Sequence, residues 1–146
     1  MIKVESKAEH VSFLYERLKG RIHSISHKEL PDLNEHKSFV ENHPYRHWFL
    51  LKIDKNLLGS IYIHHDNSIG IDIETHHYHE YLQDIFKTIN RKIKPLPELK
   101  SVRPNFFFVN VAMSNKDLML ALEKLGFVAT QKSYVQKIKN KNKITN

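Results

Sequence analysis

Two carboxylates stand at the end of a run of strict alternation. In Ser68 to Glu74, Ile69, Ile71 and Ile73 fall on one face and Gly70, Asp72 and Glu74 on the other. Asp72 and Glu74 therefore occupy the polar face of a strand, with Glu74 where the strand stops. A carboxylate so placed can take a proton from an amine. The plainer reading is a pair of solvated strand-edge acids. The next residues, ETHHYHEYL, bring histidines together. His76 and His79 are three apart, and His76 and Glu80 four apart, so a helix would carry them on one face. Zinc needs three or four ligands with supporting hydrogen bonds. The chain has no cysteine, no HExxH and no matched second pair, and His64-His65 falls in a turn. Solvent-facing histidines and no metal site are the expectation. The lack of cysteine also excludes disulfides and cysteine nucleophiles, and no GxSxG turn marks a serine nucleophile.

Two asparagines need a reason. Asn110 interrupts the apolar run NFFFVNVAM. Either it hydrogen-bonds where two strands part, or it faces the surface. Asn115 follows Ser114 and precedes a helical stripe, the place of an N-cap. Trp48, at a strand start, reads first as a core anchor.

The elements that must position these residues follow from periodicity. Residues 2–4 form a brief strand. His10 to Ile22 places Val11, Leu14, Tyr15, Leu18 and Ile22 on one helical face. Ser24 to Pro31 is a polar connection. Asp32 or Asn34 caps a short helix running to about Asn42. His43-Pro44-Tyr45 breaks the pattern. His47–Asp54, Leu57–His64 and Ser68–Glu74 are three strands with short turns, an antiparallel meander. A helix from His77 or Tyr78 to Lys92 carries Tyr81, Leu82, Ile85, Phe86, Ile89 and Ile93, and Pro95 and Pro97 end it. Residues 94–105 are a loop and Asn105–Met113 a strong strand. Asn115–Leu125 is a helix with Leu118, Ala121, Leu122 and Leu125 as its stripe. Gly126 stops it in a left-handed conformation, and Phe127 re-enters the core. Residues 127–138 form a last strand or hairpin half, and 139–146 a basic tail.

The chain has 146 residues, enough for one core and one domain. Its net charge of +7 can attract nucleic acid, acidic cofactors or membranes. The basic residues gather in KIKNKNKITN and RKIKPLPELK without interleaved aromatics, which argues against nucleic acid as the main partner. No apolar run approaches the roughly 20 residues a bilayer span needs, and MIKVESKAEH has no apolar signal core. The expectation is a cytoplasmic protein with no membrane partner, monomeric or homodimeric.

The order β-α-α-β-β-β-α-β-α-β, with an Asn-capped late helix ending in Leu125-Gly126-Phe127, resembles the GNAT family of N-acetyltransferases over nearly the whole chain. The resemblance implies a single α/β (α+β) domain spanning 1–138, with a mixed, mostly antiparallel sheet flanked by about four helices. It implies acetyl-CoA as co-substrate, bound where Ser68–Glu74 and Phe106–Met113 splay apart. Backbone N–H groups near Ile71, Asp72 and Ile73 would hold the thioester, and the helix start at His77, Tyr78 and His79 the pyrophosphate. Asn110 and Asn115 would face the cofactor. Tyr45, Arg46 and Trp48 would line the pocket of a small amine such as an amino sugar, amino acid or polyamine. Glu74 is the first candidate base. The sequence departs from the family at two points. No glycine lies between Gly70 and Gly126, where a Gly-rich turn normally cradles phosphate. Leu122 stands where many members carry a tyrosine acid, and Tyr134 is the conceivable substitute. Two other readings stay open: a GNAT-like binding module without catalysis, and acetylation of tRNA or protein.

Overall fold

A computed structural model of the chain describes residues 1–22 and 29–136. The elements run β1 (Ile2–Lys3), α1 (Ala8–Lys19), α2 (Leu33–Glu41), β2 (His47–Ile53), β3 (Asn56–Ile63) and β4 (Ser68–Ile73). A 3-10 turn (Thr75–His77), α3 (Tyr78–Lys92), β5 (Phe108–Val109) and α4 (Lys116–Lys124) follow. The protein is thus a mixed α+β chain. One sheet holds five strands in chain order. β1 to β4 are antiparallel. β5 runs parallel to β4 through Ser68–Phe108 and Ile69–Val109. Parallel neighbours need a crossover, and α3 supplies it.

Strand alternation makes two cores. Leu51, Ile61, Ile63, Ile69 and Ile73 pack with Leu82, Ile85 and Ile89 of α3 and Leu118 and Leu122 of α4. Trp48 and Leu50 face the other way, against Val11 and Leu14 of α1 and Val40 of α2. The sheet lies between two helical layers.

The helix ends follow their local sequence. Asp32 accepts from the N–H groups of Asn34 and Glu35, and the Glu35 carboxylate accepts from Asp32 N–H, closing a capping box for α2. Asn115 caps α4 by accepting from Leu118 N–H at 3.1 Å. At the other end Gly126 has φ +88°. Phe127 N–H donates to Leu122 O and Gly126 N–H to Glu123 O, both at 3.0 Å, a complete Schellman motif.

One buried side chain sets the β4–β5 edge. Asn67, at φ 72° and fully buried, donates through Nδ2 to Leu96 O (2.9 Å) and Pro104 O (2.8 Å). Its Oδ1 accepts from Leu96 N–H (2.8 Å), and its own carbonyl accepts from Phe108 N–H (3.3 Å). The loop after α3 is thereby clasped to the turn before β4, which delivers β5 alongside.

Three expectations need correction. α1 ends at Lys19, not Ile22; Gly20 caps it, and Ile22 is exposed. The strand expected over Asn105–Met113 is only Phe108–Val109. Strand propensity needs a partner to become a strand, and β4 pairs with this segment at two residues only. The last strand over 127–138 is absent from the described residues 127–136. The rest of that segment, the 139–146 tail and residues 23–28 of the connection lie outside the described residues. Among the described residues, no helix is long and apolar enough to cross a membrane.

Candidate functional site

β4 and β5 begin side by side and then part. Beyond Ile69 and Val109 no strand lies opposite β4 on that side among the described residues. The pairing with β3 decides which backbone groups face the gap. His64 N–H bonds to Ser68 O, so Ser68, Gly70 and Asp72 direct their N–H and C=O toward β3. Antiparallel pairing alternates these directions. Ile71 and Ile73 therefore turn their backbone groups into the gap.

A cavity of about 630 Å³ fills this opening. Its walls come from both faces of the sheet: Tyr62, Asp72 and Arg17 from the α1 side, Tyr78, Asn115 and Leu118 from the α3–α4 side. The divergence of β4 and β5 makes it one space through the sheet edge. Two helices start on its wall. The turn Thr75–His77 and α3 begin with no side-chain cap at Glu74 or His77. The first N–H groups of a helix have no partner inside it, and they carry the positive end of its dipole. α4 begins at the same wall, with Asn115 Nδ2 donating to Tyr78 Oη at 3.1 Å.

The α1 side is ionic. Arg17 Nη2 donates to Asp72 Oδ1 at 3.0 Å and Nη1 to Glu74 Oε1 at 3.3 Å. Arg21 Nη2 lies 3.8 Å from Asp72 Oδ2. The Asp72 side chain is 11% exposed and that of Glu74 57%. Asp72 is therefore a clamp between β4 and α1, while Glu74 keeps an accessible oxygen at the rim, with Oε2 3.4 Å from His76 Nδ1. Arg17 Nε is buried with no hydrogen-bond partner.

Beside the cavity lies an aromatic group. Tyr62 lines the space and stacks on Tyr45 with ring centroids 4.6 Å apart. Gly70 makes this possible, since a Cβ there would fall inside the Tyr62 ring. Burial raises the Tyr45 hydroxyl to about 12, Tyr62 adding to the rise and Arg21 opposing it. Burial raises Tyr62 as well, again with Arg21 opposing.

Seven of the residues singled out in the sequence thus meet at one cavity: Ile71, Asp72, Ile73, Glu74, Tyr78, Asn110 and Asn115. The other candidate catalytic, cofactor and substrate residues, Tyr45, Arg46, Trp48, His77, His79 and Tyr134, are not on its wall. His77 and His79 flank the α3 start, and His77 packs on His76, which does line the space. Trp48 is a buried core residue, as its plainer reading held, and Tyr45 leans on it. Arg46 donates to Lys94 O at 3.0 Å. Tyr134 is 83% exposed and outside the cavity, on a segment that forms no strand. Sequence reading passed over Phe13, Arg17 and Arg21. Phe13 and Arg17, four apart on α1, were the available sign, a second stripe beside the apolar one, with Arg21 just past the helix end. Among the described residues, no group of three or more His, Asp or Glu side chains is placed to hold a metal ion.

Comparison of the chain with family models, with curated proteins and with solved structures finds no match. The reading of the site rests on its own chemistry: unpaired strand amides, two helix N-termini, a phenol and a rim carboxylate around one cavity.

Proposed function

We propose that the protein is an N-acyltransferase of GNAT-like fold, moving an acetyl group from acetyl-CoA to a small primary amine. The observation that carries this reading is the parting of β4 and β5 after two residues, which opens a cavity walled from both sides of the sheet. Direct transfer between two bound molecules needs such a space, with the acyl carbon at its centre and the amine reaching it from the other side. At about 630 Å³ it lies within the range of small-molecule sites.

The donor set suits acetyl-CoA. Ile71 and Ile73 offer backbone groups toward the gap for the thioester and its pantetheine arm. The start of the 3-10 turn offers the Thr75 and His76 N–H groups to the pyrophosphate, without the glycines usual at such turns, since His77 N–H and Tyr78 N–H are committed to Glu74 O and Thr75 O. Bound there, the thioester supplies an activated acyl group. Glu74, accessible at the rim, takes the amine proton. Asp72 and Arg17 hold α1 against β4, giving the amine side its wall.

Calorimetric titration tests the reading. Acetyl-CoA is expected to bind with a Kd at or below about 100 μM, equivalent to about 5.5 kcal/mol. An amine panel should then release free thiol. Absence of binding at millimolar acetyl-CoA would refute the proposal.

A further inference from the structure

The Asn115 amide fixes where the proton of Tyr78 can go. Its Oδ1 is committed to Leu118 N–H as the α4 cap. Its Nδ2 therefore faces Tyr78 Oη and donates to it at 3.1 Å. A phenol has one proton to give and accepts through its oxygen. Here the oxygen is the acceptor, so the proton needs a different partner. Among the described residues no hydrogen bond from Tyr78 Oη is found, while Tyr78 lines the cavity. The ring is held: Tyr78 is buried in the core beneath β4. α3 starts at Tyr78 and α4 at Lys116, so two helix N-termini meet at this contact. The Asn115 N–H already points at the oxygen and stays a donor to it when the proton is passed on.

We propose that Tyr78 is the acid that protonates the departing thiolate, an assignment that rests on the acyl-transfer reading above. The amine nitrogen bonds to the thioester carbonyl carbon, and the carbonyl π pair moves to oxygen. When that pair returns, the C–S bond breaks with its electrons on sulfur. The sulfur takes the Tyr78 proton. The nitrogen loses one proton, and the phenolate regains one from solvent, leaving one amide and one free thiol. Leu122, the position where the family resemblance puts an acid, is buried beneath the sheet and carries no proton. Tyr78 reaches the same cavity from α3.

The test compares two acyl donors. Acetyl-CoA releases an alkyl thiolate that needs a proton; phenyl thioacetate releases an aryl thiolate that leaves without one. In Tyr78→Phe, kcat/KM with acetyl-CoA is expected to fall about 100-fold. With phenyl thioacetate it should stay within about threefold of wild type, and calorimetric affinity for acetyl-CoA within about twofold. Asn115→Asp keeps a helix cap but withdraws the N–H from Oη, and should show the same donor selectivity at about tenfold. Equal slowing with both donors, or none with either, overturns the assignment of Tyr78 and leaves acyl transfer standing. If wild-type protein binds no acetyl-CoA, both fall together.

Discussion

Asn67 turns every polar atom of its side chain to backbone. Its three hydrogen bonds join the turn before β4 to a loop some thirty to forty residues downstream in sequence. Alanine in its place would strand a buried N–H and two carbonyls. Each such group costs about 1–3 kcal/mol when left unpaired, and the positive φ suits Asn better than Ala. Asn67→Ala should therefore lower stability by at least about 2 kcal/mol in urea titration. A loss under about 0.5 kcal/mol would mean that the clasp adds nothing. In the sequence, Asn67 reads only as part of a turn, because its partners, Leu96 and Pro104, are remote. The same limit hid Arg17. Its role becomes visible only when Asp72 and Glu74 lie beside it. Asp72 and Glu74 were legible as a pair, since alternation puts them on one face, but their difference was not. Burial against α1 makes Asp72 a clamp and leaves Glu74 at the rim.

At the scale of elements, what was local was legible. α3 and α4 follow from apolar spacing, and the α4 ends from Asn115 and Gly126. β2, β3 and β4 follow from their turns and alternation. β5 did not, although NFFFVNVAM is the most strand-like run in the chain. Its propensity is satisfied only where β4 lies within reach, and the split that shortens it is also what opens the cavity. The site was thus legible as a set of β4 and helix-start residues, but not as a space. The α4 C-terminus offers a clean test of the local rule. A Cβ built on Gly126 meets nothing within 4 Å, so a substitution there acts through the backbone alone. At φ +88°, Gly126→Ala should cost about 1 kcal/mol, read as a lower urea midpoint at unchanged slope. Unchanged stability would mean that the Schellman bonds of Gly126 and Phe127 do not hold the helix end.

The whole molecule should lose stability on both sides of neutrality, from different layers. Burial lowers His36, with the Val11 carbonyl opposing. Burial lowers His43, helped by Lys3, and His47, helped by Arg46, Lys3 and His65. A histidine lowered in the fold contributes stability that is complete above its unfolded value of 6.5 and lost as pH falls toward its folded value. The Met1 amino group, lowered from 8.0 by burial and Lys92, acts in the same direction at higher pH. These groups gather on the α1–α2 side and around β1 and β2, so acid loosens that layer and the β1–β2 edge. The alkaline limit has the opposite sign. Tyr45, raised from 10.0 to about 12, and Tyr62 stay neutral in the fold after the unfolded chain has ionised. Their contribution is complete below about pH 10 and is lost as pH climbs toward 12. Urea midpoints should therefore fall between pH 7.5 and pH 5, above the range of the carboxylates, and again between pH 10 and pH 12. His36→Gln should flatten the acid slope and Tyr45→Phe the alkaline one, each leaving the other limb intact. A midpoint that holds steady from pH 7.5 to 5 would show that His36, His43 and His47 carry their charge within the fold.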